Sequence, residues 1–246
     1  MKTDDDLIYG FHPVLEALNQ GKEINKILIQ KGLRGALFSE FNNKIKNKNF
    51  QIQHVPIEKL NRVCRKNHQG IVAFLSPVEY TSLELLLPSI YEKGETPFFL
   101  VLDQITDVRN FGAICRTAEC AGVHGIILPS KGGVLISADA IKVSSGALHK
   151  IPVCRTNSIS EALQFMKDSG IQIVGCTEHT DKIYHQPDYK LPTAIVLGSE
   201  ESGISSEAIK LSDIKVKIPM LGEIESLNVS VAAGVILFES VKQKTC

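Results

Sequence analysis

The chain has 246 residues, 43% of them hydrophobic, and its 27 Lys+Arg balance 27 Asp+Glu to a formal net charge of zero. This is the composition of an ordinary globular protein and excludes a highly charged disordered chain. No run of about 18 apolar residues exists to span a membrane, and the acidic start MKTDDDLIYG lacks the apolar segment of a secretion signal.

In chain order, LIYGFHPVLEAL predicts a helix, INKILIQ a strand, the stretch around LRGALFSEFNNKIKN a helix, FQIQHVP a strand, IEKLNRVC a short helix and GIVAFLSP a strand. This alternation predicts a small α/β domain over residues 1–77. It holds 12 Lys+Arg and 7 Asp+Glu, whereas the rest of the chain holds 15 and 20. The excess suits a nucleic-acid partner, or is ordinary charge variation. It is concentrated at Lys44, Lys46 and Lys48 and again at Arg62, Arg65, Lys66 and His68. Cations there would contact phosphates and set orientation more than sequence. Residues 78–96, with prolines at 77, 88 and 97 in or beside them, read as a linker containing one short helix.

From residue 97 to 246 the alternation strengthens. Strands are predicted at 98–103, 125–129, 151–156, 171–177, 193–198 and 214–219, and helices at 110–121, 137–146, 159–169, 203–210 and 227–243. Continuous apolar strands between helices predict a parallel sheet covered on both faces. Ligands bind such sheets beyond the carboxyl ends of their strands, which directs attention to three turns. The first, after Asp103, gathers Asp103, Gln104, Asp107, Arg109 and Asn110. Asn110 can cap the next helix, Gly122 suits its C′ position, and Arg116 lies among Ala113, Ile114, Ala118 and Ala121. Arg116 is either a ligand-binding cation or a solvent-facing residue paired with Glu119. The second turn, LGSEESGIS, holds Gly198 and Glu200; Ile204 stands where a Walker A loop needs lysine. The third, IPMLGEIESLNVSVAAGVILFES, offers Ser226 as a helix cap and Asn228 in the first turn. The six cysteines form no C-x-x-C pair and have no histidine pair nearby, so they fit reduced cytosolic thiols and no metal site.

Taken in order, DVRNFGAICRTAECAG, IVLGSEESGIS and IPMLGEIESLNVSVAAGVILFE resemble motifs one, two and three of the SpoU/TrmH branch of the SPOUT RNA methyltransferases. IYGFHPVLEAL and NHQGIVA resemble the substrate-binding domain of large-subunit rRNA guanosine methyltransferases of the RlmB type. The resemblance implies a C-terminal trefoil-knot α/β domain, S-adenosylmethionine as methyl donor, a homodimer, and a small ribosomal-protein-like RNA-binding module at the N-terminus. It implies methyl transfer to a ribose 2′-hydroxyl, of a large-subunit rRNA guanosine or alternatively of tRNA. A non-catalytic RNA-binding protein is the remaining alternative.

Carried over by residue, Asn110, Arg116, Glu200, Ser226 and Asn228 match the active-site set. Gly198, Ile218 and Leu227 match main-chain donor contacts, with Thr177 joining them, and Arg62, Arg65 and Lys66 are the RNA-binding candidates. Glu200 is expected to orient Arg116, which would bind a phosphate and stabilise the forming alkoxide. One departure is Val108, which follows Asp107 where the family carries proline.

Overall fold

The computed structural model describes residues 7–46 and 50–246, which divide into two compact units with the break between Glu79 and Tyr80. Lys48 lies outside the described residues. The first unit runs β1 (Leu7–Tyr9), α1 (Phe11–Asn19), β2 (Ile24–Gln30), α2 (Ala36–Ile45), β3 (Gln51–Val55), α3 (Ile57–Val63) and β4 (Ile71–Leu75). Its sheet has the order β1-β4-β2-β3. Because side chains alternate across a strand, Ile27 and Ile29 join Phe11, Val14, Phe41 and Ile45 of α1 and α2. Leu28 points the other way, to Val55, Val72 and Leu60 of α3.

Leu7–Tyr9 is a strand and not the start of the first helix. Gly10 has φ +86°, a conformation no helix passes through. Its amide donates to the Ile71 carbonyl at 3.1 Å, and the three preceding residues pair antiparallel with β4.

The second unit runs α4 (Leu83–Glu92), β5 (Phe98–Leu102), α5 (Val108–Cys120), β6 (Gly125–Pro129), α6 (Ala138–Val143), a 3-10 turn (Ala147–His149), β7 (Val153–Thr156), α7 (Ile159–Asp168), β8 (Gln172–Cys176), β9 (Thr193–Leu197), α8 (Ser206–Leu211), β10 (Ile214–Val216) and α9 (Val229–Thr245). The segment read as a linker carries α4, whose Leu83, Leu87 and Ile90 are buried with Phe99, Val101, Leu163 and Val196 in this unit's core.

All six strands are parallel, in the order β10-β8-β9-β5-β6-β7. Every residue of β5 and β9 is buried, as expected of central strands covered on both faces. From β5 the chain builds outward through β6 and β7, then crosses to build β8, β9 and β10 on the other side. The order therefore reverses between β5 and β9. Leu102 and Leu197 end those strands in register, so the turn after Leu102 and the turn after Leu197 open side by side into the switch-point crevice.

Candidate active site

The turn after β9 is held very tightly. Ser199 and Gly203 exchange backbone hydrogen bonds of 3.1 and 2.9 Å, and Gly203 has φ +65°. A Cβ on Gly198 would lie 2.0 Å from the Gly203 carbonyl carbon and 2.2 Å from the Ile204 nitrogen. Gly198 is thus required by the chain's own backbone. Asp103, buried at the end of β5, accepts from the Ser205 amide at 2.7 Å. These contacts fix a short turn with Glu200 near its tip.

Glu200 joins residues distant in sequence. One of its carboxylate oxygens accepts from the Asn110 side-chain amide at 3.1 Å, the Asn228 side-chain amide at 2.5 Å and the Val229 backbone amide at 3.3 Å. Asn228 also donates to the Asn110 side-chain oxygen at 3.0 Å. The three expected polar residues therefore form one hydrogen-bonded cluster at the switch point.

Their local roles differ from those expected. Asp107, not Asn110, caps α5: its side chain accepts from the Asn110 amide at 2.7 Å. Asn228, not Ser226, caps α9, its side-chain oxygen accepting from the Ser230 amide at 3.0 Å and hydroxyl at 2.6 Å. Capping by Asp107 leaves the Asn110 side-chain amide free to reach Glu200, and capping by Asn228 fixes the face that Asn228 presents. Gly122 does occupy the C′ position of α5, with φ +72°.

Arg116 is exposed two turns into α5 and makes no hydrogen bond or ion pair among the described residues. Glu119 does not pair with it; its carboxylate lies 3.5 Å from Lys150. Nor does Glu200 engage it within one chain. The guanidinium is left with five open donors.

A cavity of about 340 Å³ opens beside the cluster, at the carboxyl ends of β8, β9 and β10. Thr177, Gly198, Ile218 and Leu227, the expected donor-site residues, all line it, together with Glu200 and Ser226. Asn110 and Arg116 do not. Sequence reasoning missed Met220, Ala232 and Ile236 of the apolar wall and Glu178 and Glu225 of the polar one. They carry no local signal, being ordinary residues of a loop and a helix brought there by the sheet order. Cys176 also lines the cavity; burial pushes its thiol up to about 12, so it is a neutral wall and no nucleophile.

The sequence pattern of the SpoU rRNA Methylase family matches residues 97–238, and that of the RNA 2'-O ribose methyltransferase substrate-binding domain matches residues 7–81. The chain belongs to the SpoU rRNA methylase family. A Bacillus subtilis (strain 168) relative assigned to the TrmH family of tRNA/rRNA methyltransferases, YacO, is 34% identical over 99% of this chain and 98% of its own. The SpoU methyltransferase AviRb from Streptomyces viridochromogenes, solved in complex with AdoMet, aligns with a TM-score of 0.62 at 25% identity, covering 97% of this chain and 90% of that one. An AdoMet-bound rRNA methyltransferase from Sinorhizobium meliloti gives 0.61 at 25% identity, covering 96% and 86%.

In this SpoU family chain the RNA-binding candidates lie in the first unit. Arg62, Arg65 and Lys66 are all exposed, at and just beyond the end of α3. The Lys66 ammonium lies 5.6 Å from the centre of the Tyr9 ring. His68 leaves this basic set. It is buried, with Nε2 2.8 Å from the Asn61 side-chain oxygen and Nδ1 accepting from the Gly70 amide at 3.0 Å. Of the other group, Lys44 donates to Asn19 at 3.0 Å, and Lys46 is exposed. Among the described residues no group of three or more His, Cys, Asp or Glu could hold a metal ion, and no helix is long and apolar enough to cross a membrane.

Proposed function

We propose that this chain transfers a methyl group from S-adenosylmethionine to the 2′-hydroxyl of a guanosine ribose in large-subunit rRNA. The observation that carries the reading is the juxtaposition of a cavity having one apolar and one polar wall with the Asn110–Glu200–Asn228 cluster, joined by Glu200, which belongs to both. The cavity suits the donor. Leu197, Ile218, Leu227 and Ile236 offer apolar surface to a nucleoside, and strand-end peptide groups offer donors and acceptors to an adenine edge. Near-complete alignment with the Sinorhizobium meliloti rRNA enzyme favours rRNA. The A. aeolicus TrmH/SpoU tRNA-modifying enzyme aligns with only 66% of this chain. Guanosine rests on the resemblance of IYGFHPVLEAL and NHQGIVA to their counterparts.

The donor supplies a methyl already activated on a sulfonium. The chain's residues must align the hydroxyl, accept or relay its proton, and stabilise the charge that develops on oxygen. Asn110 and Asn228 are held by Glu200 in fixed orientations and position the ribose. Ser226, exposed at the cavity wall and without a hydrogen bond among the described residues, faces the same nucleotide. Arg116 is a poor base, because its guanidinium pKa exceeds about 12. It would bind the phosphate next to the acceptor ribose, whose oxygen would take the 2′-hydroxyl proton, and would stabilise the developing alkoxide as the methyl passes to it and the sulfonium leaves as a neutral thioether.

Residues 1–77 act as the RNA-binding domain and 97–246 as a knotted catalytic domain, working as a homodimer in the cytoplasm. Support for the dimer is the exposed apolar side of α9 and its preceding loop, where Val231 is 52%, Phe238 49% and Leu221 100% exposed. The test is tritiated-methyl transfer from S-adenosylmethionine to total rRNA and total tRNA from cells lacking the protein, followed by mapping of the modified ribose. Label in large-subunit rRNA is expected; label in tRNA alone would overturn the rRNA assignment, and none in either would overturn the activity.

A further inference from the structure

Gln104 is the first turn residue after Asp103, and its backbone is strained. Among the described residues only Gln69, Gln104 and Ser145 have positive φ without being glycine, and Gln104 stands at +62°. A residue with a Cβ avoids this region, so it persists only where its surroundings hold it. What holds Gln104 is the turn after β9. Its side-chain oxygen accepts from the Ser202 hydroxyl at 3.0 Å. Ser202 and Ser199 hydroxyls lie 2.7 Å apart, and the Ser202 amide donates to the Ser199 hydroxyl oxygen at 3.1 Å.

These contacts have one direction. Ser202 spends its only hydroxyl proton on Gln104, so Ser199 must donate to Ser202. The chain of hydrogen bonds therefore runs Ser199 to Ser202 to Gln104, and ends on an acceptor supplied from another turn. Beside it, Asp103 accepts from the Ser205 amide at 2.7 Å. Adjacent residues at the end of β5 thus grip the turn after β9 at Ser202 and at Ser205. Between Ser199 and Ser202 sits Glu200, whose carboxylate collects Asn110, Asn228 and the Val229 amide.

We infer that Gln104 is a positioning residue: by fixing Ser202 it sets the direction in which the turn presents Glu200, and through Glu200 the orientation of the Asn110 and Asn228 amides. Gln104 does not line the donor cavity, so its effect falls on alignment of the acceptor and not on donor binding. This kinetic consequence rests on the proposed methyl transfer; the effect on the two asparagines does not.

The experiment uses the full chain and two variants. Gln104→Gly removes the amide while letting the backbone take φ +62° without a Cβ, so its melting temperature is expected to hold or rise. Ser202→Ala removes the donor from the other side. Each should lower kcat about tenfold or more, as misalignment does, while in Gln104→Gly, which leaves the cavity lining intact, the dissociation constant for S-adenosylmethionine stays within about twofold. The double variant should lose no more than the larger single loss, since both changes break the same hydrogen bond. The side-chain amide NMR signals of Asn110 and Asn228 should move in both variants. Gln104→Gly with native kcat and unmoved asparagine signals overturns the inference. A native chain that methylates neither rRNA nor tRNA overturns the proposed function instead, and the asparagine signals then decide alone: moved they support the role of Gln104, unmoved they remove it.

Discussion

Replacing Glu200 by alanine should separate stability from chemistry at this site. The substitution leaves the Asn110 and Asn228 side-chain amides and the Val229 amide without their shared acceptor. Intramolecular hydrogen bonds contribute about 0.5–1.5 kcal/mol each. Glu200 and Asn228 are exposed, so water replaces much of what is removed and the total for the three bonds belongs at the low end, about 1.5 kcal/mol. For a unit of this size that corresponds to a fall in melting temperature of about 3–6 °C. The kinetic effect should be larger. An acceptor displaced by about 1 Å loses roughly 100-fold in rate, equivalent to about 2.7 kcal/mol of barrier. The assay is single-turnover methyl transfer at saturating donor and RNA, beside calorimetric melting of the same preparation. Glu200→Gln keeps one acceptor oxygen and should fall between native and alanine in rate. If Glu200→Ala melts a few degrees lower yet transfers within about threefold of native, the cluster is a structural staple and the reasoning fails.

Arg116→Ala should abolish detectable transfer with donor affinity and melting temperature near native, because the side chain has no internal partner to lose among the described residues; calorimetric donor titration and the methyl-transfer assay check both halves. Gly198→Ala should destabilise the second unit severely, since its Cβ would overlap backbone atoms at 2.0 Å; chemical denaturation reads this directly. Val231→Glu with Phe238→Glu should convert a sedimentation-equilibrium dimer to a monomer at micromolar concentration, whereas an unchanged mass would mean that α9 is not the interface. His124 predicts a pH effect on stability: desolvation by burial lowers its pKa despite Glu95 3.0 Å away. The unfolded chain then binds the extra proton first, so stability is fully present above the unfolded pKa of about 6.5 and declines as pH falls through the lowered folded value. Melting between pH 8 and 5 should show this loss, reduced in His124→Gln. Arg62→Ala/Arg65→Ala should weaken RNA binding and reduce its salt slope by about 0.7–0.9 for each phosphate that is no longer neutralised; unchanged slopes would place the RNA elsewhere.

The sheet of the second unit was legible because its strands are short, apolar and bounded by turn residues. Phe98–Leu102, Gly125–Pro129 and Thr193–Leu197 sit where those runs are. Leu7–Tyr9 was not legible: its apolar residues continue smoothly into those of α1, and only the positive φ of Gly10 and the pairing with β4 separate them. The short helix expected within 78–96 is α4, but its burial in the second unit was not legible, for a related reason. Three prolines in or beside 78–96 argue locally for a linker, while the burial of Leu83, Leu87 and Ile90 depends on strands that come later in the chain.

At the site, residue types were easier to read than their assignments. Asn110, Glu200 and Asn228 stand out because each lies in a turn or first helical turn that follows a strand, yet such residues cap helices equally well, and sequence offers no means to separate the two uses. The structure separates them by supplying a second capping candidate. Asp107 takes the α5 cap and leaves the Asn110 amide to Glu200. Asn228 does both: its oxygen caps α9 while its nitrogen donates to Glu200 and Asn110. A side-chain amide, with an acceptor and a donor on one rigid plane, can meet both demands. Aspartate in its place could cap the helix but would set a second carboxylate against Glu200 with no proton to share. The choice of asparagine at 228 therefore follows from the helix it begins and the carboxylate it faces, and the second of these is fixed by a residue 28 positions away.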